Sequence, residues 1–161
     1  MRHLDARVEV VAVPSIETAA DSGDILLGHT VTVDHRQTIE RLFATVNAGT
    51  DPGDLITDDC RLTNATTAVT DATYVGREGA LKWRSDMFDV VEGPRYEMDE
   101  VLAEGSDYIV VANHIEGRGK SSGVPVDMRW TSVFWFSDDG RICRAAGFNR
   151  RSEALEAVRT A

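Results

Sequence analysis

The chain has 161 residues, enough for one domain whose core needs neither metal nor disulfide support. Its 17 Lys and Arg stand against 27 Asp and Glu, and the formal charge of -10 argues against a nucleic-acid partner and against an anionic membrane surface. Only two cysteines occur, Cys60 and Cys143, without metal-ligand spacing, so a reduced, cytoplasmic protein with two small core thiols is the simplest expectation.

Taken in chain order, residues 1–33 show no sustained helical periodicity and are expected to form an N-terminal arm of strand and loop or partial disorder. Their longest apolar run, Val8 to Val13, is broken by Glu9 and ended by Pro14. It suits a short extra strand, and it is too short for a membrane span and lacks a secretory cleavage pattern. From Asp34 to the end the pattern is that of one folded domain. Asp34 can cap a first helix, with Gln37 three residues on and Ile39, Leu42, Phe43 and Val46 at helical spacing, and Ala48-Gly49 ends it. Asp51-Pro52 opens a short second helix to about Thr57, Cys60 to Ala65 reads as a strand, and the Thr-rich stretch from Thr66 to Thr73 reads as a loop. Asn64-Ala65-Thr66 is accordingly read as loop or strand, not as a glycosylation site in use.

A further helix is predicted from Gly76 to Val91, with Ala80, Trp83, Met87 and Val90 on one face, stopped by Gly93-Pro94. Four long strands follow: Arg95 to Glu104, Tyr108 to Gly117, Pro125 to Phe136, and Arg141 to Asn149 after a turn at Ser137-Asp138-Asp139-Gly140-Arg141. The third alternates Met128, Trp130, Ser132, Phe134 and Phe136 with Arg129, Thr131, Val133 and Trp135, so both faces are largely apolar. One face should cover the helices and the other a partner, most simply a second copy of the chain, making a homodimer through the outer sheet face. Ser152 is expected to cap a last helix through Arg159.

This order of elements, with Tyr74-Val75-Gly76-Arg77-Glu78-Gly79-Ala80-Leu81, Asp99 to Asp107, Ser122-Gly123-Val124-Pro125-Val126 and Phe136-Ser137-Asp138-Asp139-Gly140-Arg141-Ile142, resembles the SnoaL-like branch of the nuclear transport factor two superfamily over about Asp34 to Val158. The resemblance implies an α+β, cystatin-like cone in which a curved antiparallel sheet wraps around N-terminal helices. Its motifs are turn glycines and apolar anchors, which speak to fold and hardly to chemistry. Ketosteroid isomerases of that superfamily use a tyrosine on the first helix, an aspartate base after the second and an aspartic acid on the third long strand; the matching positions hold Phe43, Asn64 and Ser132. Limonene epoxide hydrolases use an Arg and an Asp on the second long strand and an Asp near the end of the last. Here Asn113, Ile115 and Gly147 stand there, and of the Tyr and Asn that help those enzymes place water the resemblance implies a match for the Asn at Asn64. Neither proton transfer next to a carbonyl nor activation of water by a carboxylate is expected of such a set.

What remains is a pocket. Strand parity turns Asn113, Trp130, Ser132, Phe134, Ala145, Gly147 and Asn149 inward, and with Phe43, Asn64, Trp83 and Met87 they compose an aromatic cup with neutral polar groups, suited to a small, mostly apolar, ring-type molecule bearing hydroxyl or carbonyl groups. Two other functions compete. A cyclase, isomerase or dehydratase would use His114, the one histidine inside the predicted sheet, with a carboxylate such as Asp99, although parity turns His114 outward. A non-catalytic dimerisation module would have the cup filled as ordinary core. Tyr96 reads as an amphipathic edge residue or a donor at the pocket mouth, and Arg118 and Lys120 as a solvated hairpin tip or a reader of acidic groups. His3, His29 and His35 have no ligand spacing, and no metal or cofactor is expected.

Overall fold

A computed structural model describes residues 33–64 and 73–160; the expected arm over 1–33, except Val33, and most of the Thr-rich loop lie outside the described residues. The first helix, α1, spans His35–Ala48. Asp34 caps it by accepting a hydrogen bond from the Gln37 N–H at 3.0 Å, and Gly49 at φ 70° closes it in the left-handed region where L side chains are disfavoured. Ile39, Leu42 and Phe43 are buried on its inner face, as their spacing predicts.

The expected second helix is only one 3₁₀ turn, Gly53–Leu55, because the Asp51 carboxylate accepts from Gly53 N–H at 2.8 Å and Ile56 has already turned to extended geometry. Strand β1 therefore begins early, Ile56–Thr63, with Ile56 and Cys60 buried. A short β2, Tyr74–Val75, pairs with it and leads into α2, Gly76–Phe88. Only glycine fits at this junction: Gly76 has φ 66°, and a Cβ there would lie 2.5 Å from the Asp58 carbonyl oxygen.

Four long strands follow, β3 (Val91–Glu104), β4 (Tyr108–Gly119), β5 (Pro125–Phe136) and β6 (Ile142–Phe148), then α3 (Arg151–Arg159). Gly93-Pro94 does not stop a helix; it lies inside β3, where the pairing with β4 shifts register between Glu92 and Arg95. The helix ends at Phe88 instead, and Val90 is exposed. Ser152 is not a cap either, since α3 begins one residue ahead of it after Arg150, which makes no side-chain capping bond. The six strands form one sheet in the order β2-β1-β6-β5-β4-β3, antiparallel except where β1 meets β6. With the three helices of the described residues this is the expected α+β architecture.

The parity expected for β5 is what the packing shows. Trp130, Phe134 and Phe136 join the core under α1 and α2, together with Ile109, Val111 and Ile115 from β4. Val133 and Trp135 face the other way, into a second cluster with Val110, Ala146 and Ala154. That second cluster revises the reason for expecting a partner. The outer face at Val133 and Trp135 is covered by the chain's own α3, whose Arg151 also reaches Glu100 on β3 at 3.1 Å. Among the described residues, no helix is long and apolar enough to cross a membrane.

Candidate functional site

Between α1, α2 and the inner sheet face lies an open cavity. About 740 Å³ of atom-free space falls within its walls, the mouth included, and the centre of a water-sized sphere can move through about 70 Å³ of it. A single water needs roughly 10–15 Å³ by that second measure, so the space suits a few waters or one small ring system.

Its deep wall is aromatic and its centre is Tyr96. This ring stacks on Phe43 at 3.9 Å between centroids and on Trp130 at 5.4 Å, with Trp83 tilted against it at 5.9 Å. Tyr96 lies on the edge strand β3 but is buried, not amphipathic. A side chain that the helical pattern leaves unnoticed holds it: the Asn47 amide donates to the Tyr96 carbonyl at 2.8 Å and accepts from the Tyr96 N–H at 2.7 Å, tying the end of α1 to β3. Both were legible only in part. The pairing of Tyr96 with Ile115, an inward residue of β4, is the signal that could have found its orientation.

Three donors meet at this wall. Trp130 Nε1–H donates to Ser132 Oγ at 3.0 Å, and Ser132 is also the hydrogen-bond partner of the Tyr96 hydroxyl. The indole proton is thus engaged and one hydroxyl proton lies between Ser132 and Tyr96, whichever way that bond runs. One O–H proton is left to point at a ligand. Burial raises the pKa of the Tyr96 phenol well above its ordinary value, outweighing the opposing effect of the Ser132 bond, so the group stays a neutral donor. On the α2 side, Trp83 Nε1–H donates to Asn64 Oδ1, while Asn64 Nδ2 lies 3.8 Å from Met87 Sδ.

Five of the nine residues expected to form the pocket reach its surface. Asn64, Trp83, Trp130, Ser132 and Phe134 line the cavity, with Ala145 and Gly147 beside them. Phe43 and Met87 stand behind that surface, Phe43 beneath Tyr96 and Met87 beneath Asn64. Asn113 points to the same face but is buried between Met98 and Trp130, and neither its amide nitrogen nor its amide oxygen has a hydrogen-bond partner among the described residues. Asn149 is the clear departure: β6 stops at Phe148, and Asn149 is exposed past its end, away from the lining. No aspartate, glutamate or histidine lines the cavity among the described residues.

The candidate acid/base pair is real as a pair and misplaced for the cavity. His114 Nδ1 lies 2.7 Å from Asp99 Oδ1, though off the direction a hydrogen bond requires, and Nε2 lies 3.4 Å from Glu116 and 3.8 Å from Glu97. Arg129 and Asp127 complete this charged group. It sits on the outer side of β3, β4 and β5, because His114 alternates with Asn113 and Ile115. The Arg118 guanidinium is used within its own hairpin, donating to the Gly123 carbonyl at 3.2 Å. Among the described residues, no group of three or more His, Cys, Asp or Glu side chains is placed to hold a metal ion.

Comparison with known proteins agrees with this architecture. The model of the SnoaL-like domain matches residues 39–145. A structure from Jannaschia sp. CCS1, proposed to be a SnoaL-like polyketide cyclase, superposes with a TM-score of 0.60 at 22% identity, covering 89% of this chain and 96% of that one. TerC, co-crystallised with polyporic acid, superposes with a TM-score of 0.59 at 17% identity over 78% and 98% of the two chains. A protein of ketosteroid isomerase-like fold from Catenulispora acidiphila, in complex with trimethylamine, gives 0.57 at 17% identity over 74% and 90%. At these identities the likeness is one of fold. No curated protein matches the chain.

Proposed function

We propose that this chain, which belongs to the SnoaL-like domain family, holds a small, mostly apolar ring-type molecule against the wall formed by Tyr96, Trp83 and Trp130. A hydroxyl or carbonyl of that molecule takes the remaining O–H proton of the Tyr96–Ser132 pair, and Asn64 orients its other side. The observation that carries this reading is the chemistry of the lining: flat aromatic faces, the neutral O–H donor left at the Tyr96–Ser132 pair and, among the described residues, no carboxylate or imidazole. Stacking on such a wall contributes about 0.5–1.5 kcal/mol per aromatic pair beyond area burial, and a neutral hydrogen bond about 1 kcal/mol. A binder of modest affinity is the natural product. That TerC carries polyporic acid and the Catenulispora protein trimethylamine supports small-molecule binding in general without naming a ligand for this chain.

The competing cyclase, isomerase or dehydratase function needs a proton-transfer group within reach of the bound molecule. His114 and Asp99 are on the other side of the sheet, which favours binding without that chemistry. As for a homodimer, the part of the outer face that α3 leaves uncovered is the charged group around His114, so a second copy meeting there would be held by ion pairs and not by Val133 and Trp135. The test of the binding reading is a fluorescence titration of the full chain with naphthol. Saturable quenching, weakened several-fold when both hydroxyls are removed in Tyr96→Phe/Ser132→Ala with the fold retained, is expected; quenching that rises linearly without saturation contradicts it.

A further inference from the structure

Among the described residues that line the cavity, Arg84 is the one that carries a charge. It is held in place before any ligand arrives. Its Nε–H donates to the Val46 carbonyl at the end of α1 at 2.7 Å, and its Cζ lies 5.0 Å from the Phe88 ring centroid. The guanidinium packs on Gly49, where an added Cβ would come within 2.8 Å of Nη2. These contacts fix the planar fork and use only the Nε donor. No carboxylate among the described residues lies within ion-pair distance of it; the same holds for Arg41, Arg61, Arg118, Arg144 and Arg150, but none of these lines the cavity.

The other polar side chains near this side of the cavity are already engaged. Thr45 Oγ1–H donates to the Arg41 carbonyl at 2.8 Å, and Thr50 Oγ1–H donates to the Thr45 carbonyl at 3.4 Å. The Nη groups of Arg84 are left as the charged donors of the lining. A half-buried, pre-oriented guanidinium without a counter-ion matches the two oxygens of a carboxylate. It also answers a problem set by the whole chain: at a net charge of -10 an anion is repelled unless the site itself supplies a cation.

We infer that Arg84 is the anion-recognising residue of the cavity and that the ligand class is a ring-bearing carboxylate, its ring against the aromatic wall and its carboxylate on the Nη donors. This rests on the small-molecule reading above. The fixed Nε bond means that little ordering is required when the carboxylate arrives, so the charge contributes to affinity as well as to orientation.

The experiment compares naphthoate with its methyl ester, which keeps the ring and removes the charge, by fluorescence titration of the full chain. Naphthoate is expected to bind roughly tenfold tighter than the ester, as one charge-assisted contact of about 1.4 kcal/mol gives. The ratio should shrink as salt is raised. In Arg84→Gln, which keeps a donor for Val46, the preference for the acid over the ester should vanish, and Arg84→Lys should keep part of it. Equal binding of acid and ester by the parent chain, or a preference that survives Arg84→Gln, overturns the inference and leaves the small-molecule reading intact. Failure of both probes to bind overturns that reading and the inference with it. Should Arg84→Gln fail to fold, the salt series on the parent chain decides: an acid-to-ester ratio that does not change with salt contradicts a role for the guanidinium.

Discussion

The two faces of the sheet solve opposite problems with the same kind of strand. On the outer side α3 presses Ala154, with Leu155 and Val158 beside it, onto Val110, Val133, Trp135 and Ala146, and the charged side chains gather beyond it around His114. On the inner side α1 and α2 pack on the sheet and leave a cavity with largely aromatic and aliphatic walls. Charge thus gathers on the side away from this cavity, while among the described residues that line it Arg84 is the charged one. The clustering of ionisable groups is therefore no guide to the site here; the absence of packing is.

The largest effect that tests this contrast is on stability. Trp135→Ala on the outer face should lower the unfolding free energy by roughly 3–5 kcal/mol, because a buried ring carrying the Arg144 guanidinium 4.3 Å from its centroid leaves a void that its neighbours cannot fill. Trp130→Ala on the inner face should cost less, since that ring already borders open space. Urea unfolding of the two variants measures the order, and a larger loss for Trp130→Ala would break the comparison. Next comes Asn113. Both of its amide atoms are buried without partners among the described residues, so Asn113→Leu removes a desolvation cost and loses no hydrogen bond; a gain of about 1–3 kcal/mol is expected. A loss of stability would mean that the amide is satisfied from another part of the chain.

A pH series sharpens the inner face further. Burial, with smaller contributions from Cys143 and Asp59, pushes the Cys60 thiol up from 9.0 to about 12. The folded state therefore keeps a proton that the unfolded state releases above pH 9, so stability is fully present below pH 9 and is lost as pH rises towards 12, by at most about 1.4 kcal/mol per pH unit from this group. Tyr96, also raised, adds a loss of the same sign above pH 10. Chemical denaturation between pH 8 and pH 11 should show a shallower decline in Cys60→Ala than in the parent, and identical slopes would contradict a thiol held neutral by burial. The smallest effect is expected at His114. His114→Gln should leave naphthol affinity within about twofold of the parent, because the ring lies on the far side of the sheet.

Much of this was readable from the chain. The alternation along β5 predicted its two faces correctly because it pairs with β4 from Tyr108 to Arg118 without a shift in register, so a period of two survives along the whole strand. β3 is different. Three register shifts interrupt it, and Gly93-Pro94, a helix stop in the local pattern, proved to be part of an irregular strand, which hid both the early start at Val91 and the inward turn of Tyr96. The periodicity of α3 announced a helix but not the surface it covers. That is a tertiary fact, and it displaced a second copy of the chain as the cover for Val133 and Trp135. Asn149 was carried inward by extrapolating parity one residue past the end of β6, where no ladder enforces it. Arg84 lies on a helix flank that a search for core residues passes over.

The central claim is that the inner aromatic wall, and not the outer charged group, meets the ligand. The most direct measurement is intermolecular nuclear Overhauser contact between bound naphthol and the side chains of the full chain. Contacts from the naphthol ring protons to Trp83, Tyr96 and Trp130, with none to His114, are the predicted result. Contacts to His114 or to Trp135, in the absence of any to Tyr96 and Trp130, would contradict it.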